Sequence, residues 1–279
     1  TNWSNISNTS SMKTAAVTKT DGSLWVWGKN HEGQLGLNDD DVHRSSPTQL
    51  PGTWATGEYK ISNANPGAMF GIKSDGTLWG MGWSSFYGFN NLPNNARRSS
   101  PCQIGTDNTW DKLAGGSYRI AAIKTDGTLW TWGHGSGGQL GHNNVTQYSS
   151  PKQVGTSTDW DRPFGAQDFT GALKTDGSLW VWGYGTNGQL AQNNATNYSS
   201  PRQVPGSYID VCGGGLECSA IKSDGTLWFW GQAGDGQNGD NIGNGSLKYS
   251  SPIQVGTSTD WKKISPVYVR GRLGLRLAG

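Results

Sequence analysis

The chain has 279 residues, of which 43 are Gly and 15% are charged, with a net charge of +2; ordinary domains carry about 7% Gly and about 25% charged residues. So weak a field does not steer nucleic acid or an anionic membrane to the surface, and no apolar run approaches the ~18 residues of a membrane span. Three cysteines, Cys102, Cys212 and Cys218, exclude a disulfide framework.

One run, Lys-(Thr/Ser)-Asp-Gly-(Ser/Thr)-Leu-Trp, occurs five times, with its carboxylate at Asp21, Asp75, Asp126, Asp176 and Asp224, at intervals of 54, 51, 50 and 48 residues. Ser-Ser-Pro recurs in step, ending at Pro47, Pro101, Pro151, Pro201 and Pro252. A period near fifty is too long for helical hairpin arrays and fits one four-stranded propeller blade per repeat. The spacing never breaks, so the chain reads as a single domain over 1–279. Its repeats fall at approximately 3–53, 54–106, 107–156, 157–205 and 206–256, followed by a partial unit at 257–279.

In chain order, repeat 1 opens at Trp3 and its third strand is Leu24-Trp25-Val26-Trp27. Repeat 2 is irregular, with Trp54 near its start and Leu78-Trp79 in its third strand. Repeat 3 is the cleanest and predicts four strands: Trp110 to Ala114, Tyr118 to Lys124, Thr128 to Trp132, and a short one from Pro151 to Val154. The hairpin between the middle two is signalled by Asp126-Gly127, a pair that readily takes positive φ. Pro151 suits a strand start or an outer edge, where a missing donor does no harm. Repeats 4 and 5 repeat the pattern at Leu179-Trp180-Val181-Trp182 and Leu227-Trp228-Phe229-Trp230.

These third strands are apolar on both faces, whereas a strand with one wet face alternates. Sheets packed between neighbours on both sides are therefore expected. Nine of the 15 tryptophans, at Trp25, Trp27, Trp79, Trp130, Trp132, Trp180, Trp182, Trp228 and Trp230, read as structural core; burying one aromatic is worth roughly 4–6 kcal/mol as an upper estimate.

The order Trp-x-x-(Ile/Leu/Val), Ala-(Ile/Leu)-Lys-(Thr/Ser)-Asp-Gly-(Thr/Ser)-Leu-Trp-x-Trp-Gly, Gly-Gln-Leu-Gly and Ser-Ser-Pro-x-Gln-Val resembles the repeat of the regulator of chromosome condensation, in the Trp-rich form of bacterial and phage proteins. The resemblance implies an all-β fold, a β-propeller of RCC1-like repeats with five full repeats and a partial sixth. A five- or six-bladed ring, closed where the chain ends meet, is the favoured arrangement; a longer chain is the alternative. The family's founder is a guanine-nucleotide exchange factor whose exchange activity depends on a projecting insertion on one face, and it also docks on chromatin, a contact that a basic tail would mark. Neither feature is found in this chain, and fold transfers better than function.

Repeat 2 departs most: Met81 replaces the second tryptophan of its third strand and the Gly-Gln-Leu-Gly turn is gone. In its place stand Trp83, Phe86, Tyr87 and Phe89, followed by Arg97 and Arg98. Aromatics beside arginines are enriched at interface centres, so these six residues are the candidate binding site, against the alternative that they fill a gap in a degenerate blade. His31, His43, His134 and His142 stand at no metal-ligand spacing. Asp39-Asp40-Asp41 and the segment from Asp235 to Asp240 are acidic but lack the spacing of a calcium loop. Cys212 and Cys218 either face each other across a hairpin or are small buried fillers. No catalytic constellation is read, and no cofactor or metal is expected.

The composition and the resemblance together suggest a non-enzymatic binding or structural module. Its rim loops would meet a protein or glycan partner, in surface adhesion or as a virion component. Its place would be extracellular, at a cell surface or on a particle, although no secretory signal opens the chain. An intracellular regulatory scaffold of the exchange-factor type is the alternative, and a hydrolase in a central channel a weaker third reading.

Overall fold

A computed structural model describes residues 2–6, 13–64, 67–83, 97–234, 236, 247–267 and 272–276, and every regular element among them is a strand. Sheet 1 comprises β1 (Trp3–Ile6), β2 (Thr14–Lys19), β3 (Leu24–Gly28) and β4 (Arg44–Leu50). Sheet 2 comprises β5 (Ile61–Ala64), β6 (Ala68–Ile72), β7 (Leu78–Trp83) and β8 (Arg97–Gln103). Sheet 3 has β9 (Trp110–Gly116), β10 (Arg119–Lys124), β11 (Leu129–Gly133) and β12 (Tyr148–Gln153). Sheet 4 has β13 (Trp160–Gly165), β14 (Phe169–Lys174), β15 (Leu179–Gly183) and β16 (Tyr198–Val204). Sheet 5 has β17 (Tyr208–Gly213), β18 (Glu217–Lys222), β19 (Leu227–Gln232) and β20 (Lys248–Gln254). A two-stranded hairpin follows, β21 (Lys263–Val267) with β22 (Arg272–Arg276). Each sheet is an antiparallel meander in chain order.

The chain divides into two compact units, one of residues 1–134 and 147–158, the other of 135–146 and 159–279. In the first, buried side chains gather between consecutive sheets: Val26, Leu35 and Leu50 meet Ile61, Met69 and Met81, while Phe70 and Leu78 meet Leu113, Ile120 and Trp132. In the second, Phe169, Leu179 and Val181 meet Val211, Cys218 and Trp230. Neighbouring sheets thus cover much of the apolar surface of the third strands.

The Asp-Gly hairpins differ from the expected turn. Gly127 has φ +76° while Asp126 is absent from the positive-φ residues; Gly127 N–H donates to Lys124 O at 2.9 Å and Lys124 N–H to Thr128 O at 3.1 Å. That is a type I turn closed by a glycine bulge, which needs positive φ at one residue only. Asp126 is there for its carboxylate, which accepts the N–H and hydroxyl of Thr128 at 3.0 and 2.6 Å. The hydroxyl oxygen in turn accepts Trp130 Nε1–H at 2.9 Å, and Lys124 Nζ lies 4.0 Å from the Trp130 ring. The same clasp of Asp, hydroxyl, indole and lysine recurs around Trp25, Trp79 and Trp228. The hydroxyl bonds hold all five carboxyls below their ordinary range.

The fourth strands also differ from expectation, beginning at Tyr148 rather than Pro151 in repeat 3. Gly133 pairs with Tyr148 and Thr131 with Lys152, so a bulge absorbs Ser149, Ser150 and Pro151. Proline is tolerated inside an outermost strand because the bulge needs no ladder donor there.

Candidate interaction face

The connections between third and fourth strands have a fixed inner part and a variable outer part. In Gly-Gln-Leu, the side-chain oxygens of Gln34, Gln139 and Gln189 accept an N–H two residues upstream at 2.7–2.9 Å, and Leu35, Leu140 and Leu190 are buried. The carbonyls of Gln139 and Gln189 accept Nε1–H of Trp182 and Trp230, in the next sheet, at 2.8 and 2.9 Å. Further along, the positive-φ residues Asn38, Asn143 and Asn193 donate their N–H to Ser99, Ser199 and Ser250 O at 2.6–2.7 Å. Those serines are the first of the next repeat's Ser-Ser-Pro, whose bulge leaves the carbonyl free. Each of these three connections is therefore tied to the following sheet, and both sequence markers serve that tie.

What the ties leave outside is chemically distinct in repeat 1. His31 Nδ1 pairs with the Asp41 carboxylate, Arg44 with Asp39, and Arg97 Nε with Glu32 Oε2 at 2.8 Å. His43 lies edge-on to His31 with ring centroids 4.5 Å apart. The hydrogen bond from His31, then the charges of His31, Arg97 and His43, hold the Asp41 carboxyl below its ordinary range. Among the described residues no group of three or more His, Cys, Asp or Glu has the arrangement to hold a metal ion.

Of the six candidate site residues, Trp83 and Arg97 pair across β7 and β8, and Arg98 pairs with Gly82. Arg97 and Arg98 are exposed and Trp83 half-buried. Phe86, Tyr87 and Phe89 lie outside the described residues, as does all of the segment from Asp235 to Asp240 but Gly236. Glu32, which joins Arg97 to the neighbouring loop, and the paired His31 and His43 were not singled out by spacing; the acid-and-histidine density of 31–44 was the available signal. Of the core tryptophans, Trp132, Trp182 and Trp230 are fully buried, while Trp25, Trp27, Trp79, Trp130, Trp180 and Trp228 are half-buried.

Three segments of the chain, residues 21–62, 126–170 and 176–220, match the model of the regulator of chromosome condensation (RCC1) repeat. These three segments are RCC1-type repeats. It is 31% identical over 135 residues to the human probable E3 ubiquitin-protein ligase HERC3, covering 45% of this chain and 12% of that protein. To the Arabidopsis thaliana ultraviolet-B receptor UVR8 it is 29% identical over 131 residues, covering 46% and 29%. The chain thus matches well under half the length of these curated relatives. Among solved structures, Prp20p from Saccharomyces cerevisiae superposes with a TM-score of 0.77 at 16% identity, over 94% of this chain and 67% of that one. Human WBSCR16 gives 0.75 at 19% identity, over 92% and 68%. These likenesses place the sheets of the RCC1 repeats as blades of the β-propeller fold.

In the second unit of these RCC1 repeats, a cleft of about 310 Å³ is lined by Asp161, Arg162, Lys174, Asp176, Ser207 and Ile209 among others. Arg162 is committed to Asp210 at 3.2 Å and Lys174 to Asp159 at 3.0 Å. Bonds from Ser178 lower the Asp176 carboxyl, the opposite of what a proton-donating acid in a glycosidase pair requires. Among the described residues no helix is long and apolar enough to cross a membrane.

Proposed function

We propose that the chain is a non-enzymatic binding module whose third-to-fourth-strand connections meet a protein or glycan partner, at a cell surface or on a phage particle, in adhesion or virion structure. One observation carries the reading: the recurring letters of the described connections are engaged in ties to the next sheet, while the departures Asp40, Asp41, His43, Arg97 and Arg98 are exposed, with Glu32 and Asp39 half-buried beside them. Outward variation on a fixed frame is where binding concentrates. A protein partner is supported by the solved complex of yeast RCC1 with Kap60. The sparse charge and the Asn-, Ser-, Thr- and Gly-rich composition support an exposed setting.

The test is binding of the purified chain to glycan arrays and to intact bacterial cells, beside a variant carrying Arg97→Glu and Arg98→Glu. Saturable binding weakened about tenfold or more in the variant, a loss of ~1.4 kcal/mol, is expected; equal binding by both proteins rejects the face. A second reading, exchange-factor activity, is favoured by the structural study of Prp20p that describes its binding to Gsp1p and histones. Accelerated nucleotide release from a panel of small GTPases would establish it in place of the first, which predicts none.

A further inference from the structure

The connection from β3 to β4, residues 29–43, is gathered around Asn30, whose side chain is fully buried. Asn30 Oδ1 accepts Leu35 N–H at 2.9 Å, Nδ2 donates to Asp39 O at 3.0 Å, and the Asn30 carbonyl accepts the N–H of Gly33 and of Asp41 at 3.1 and 2.9 Å. The remaining backbone group, Asn30 N–H, donates to His43 Nδ1 at 3.1 Å. Repeat 4 closes the same joint with different chemistry. There Gly185, two residues after Gly183 as Asn30 is two after Gly28, donates its N–H to Asn197 Oδ1 at 2.9 Å. One joint closes on an imidazole and the other on a carboxamide, and only the imidazole changes charge between about pH 5 and 8.

We infer that His43 is a proton-released latch on the connection 29–43. A backbone N–H is a donor only, so His43 accepts from it only while Nδ1 is bare. The imidazolium carries a hydrogen on both ring nitrogens, and no flip of the ring restores an acceptor. His43 is exposed, so protons reach it. The surrounding charged groups do not replace the bond. The Asp41 carboxylate nearby is already taken by His31. The His31 ring 4.5 Å away repels that of His43 once both are charged. Arg44 is tied to Asp39 on the same connection. From β8, Arg97 is tied to Glu32, and Arg98 adds a second positive charge. Acidification thus releases Asn30 N–H and loosens the stretch that presents Glu32 and Asp39 to Asp41. That this regulates partner binding rests on the reading of the face above; the latch itself does not.

The test is amide hydrogen exchange on the full chain without any partner, comparing protection of Asn30 N–H with that of Gly185 N–H at about pH 7.5 and about pH 5.5. In the unmodified chain the Asn30-to-Gly185 protection ratio falls about three- to tenfold on acidification, the worth of one hydrogen bond. His43→Asn keeps an acceptor and holds the ratio constant, and Asn197→His transfers the acid sensitivity to Gly185. A ratio that does not change in the unmodified chain, or one that falls equally in His43→Asn, overturns the latch. Because no ligand is present, a face that binds nothing leaves this result intact.

Discussion

Trp132, Trp182 and Trp230 occupy one position in three sheets and are equally buried, yet their indole N–H groups differ. Trp182 and Trp230 donate to glutamine carbonyls, whereas Trp132 Nε1 has no acceptor among the described residues. Repeat 2 precedes Trp132 and has no Gly-Gln-Leu in its third-to-fourth-strand connection. A buried donor left unmade costs ~1–3 kcal/mol and a made bond contributes ~0.5–1.5 kcal/mol. Trp132→Phe is therefore expected to cost at least ~1 kcal/mol less than Trp182→Phe or Trp230→Phe. Urea unfolding midpoints read the difference, and equal losses would contradict the assignment. At this scale the sequence was legible in kind: the recurrent tryptophans announced packing. It was silent on which indole edges find an acceptor, because that depends on the register between one repeat's loop and the next repeat's strand.

Among elements, the connections are fixed by close approach. A Cβ on Gly138 would stand 2.6 Å from Ser199 Cα, and one on Gly33 2.8 Å from Ser99 Cα, so the glycine opening each Gly-Gln-Leu lets the connection lie against the next fourth strand. Gly155 has a comparable positive φ of +59° but nothing within 4 Å. Gly138→Ala is accordingly expected to destabilise by ~1 kcal/mol or more beyond Gly155→Ala, since both bear the backbone strain and only the first also overpacks. Matching thermal midpoints for the two variants would disprove the close approach. The strands themselves were read from sequence, with the fourth displaced by three residues because a bulge is invisible to alternation patterns. The Asp-Gly signal located the hairpins but concealed their turn type, since the carboxylate was needed for a side-chain clasp and not for backbone conformation.

For the whole molecule, stability rests on packed sheets without covalent staples. All three cysteines are free. Cys212 pairs with Ser219 and Cys218 with Gly213, so the two thiols leave opposite faces of the hairpin, and burial pushes both well above the ordinary thiol range. They are fillers, the second of the two alternatives the sequence left open. Reductant is expected to leave the urea midpoint unchanged, and Cys212 and Cys218 to resist Ellman's reagent until the chain is unfolded; prompt labelling of either in the folded protein would refute this. Fold class was legible because periodicity reports architecture directly. The cluster of Glu32, His31, His43 and Arg97 was not, since residues 65 apart in sequence meet there and no local pattern encodes such a meeting.

The forward reach of each connection also sets where such a chain can be cut and rejoined. A shuffled or duplicated module bounded at the sheet edges would carry a Gly-Gln-Leu that has lost its customer, and would receive a tryptophan whose supplier was left behind. A module bounded just before Gly-Gln-Leu, running from one connection into the next sheet, would travel with its own fastenings, so grafts made in that staggered frame should be the ones that survive.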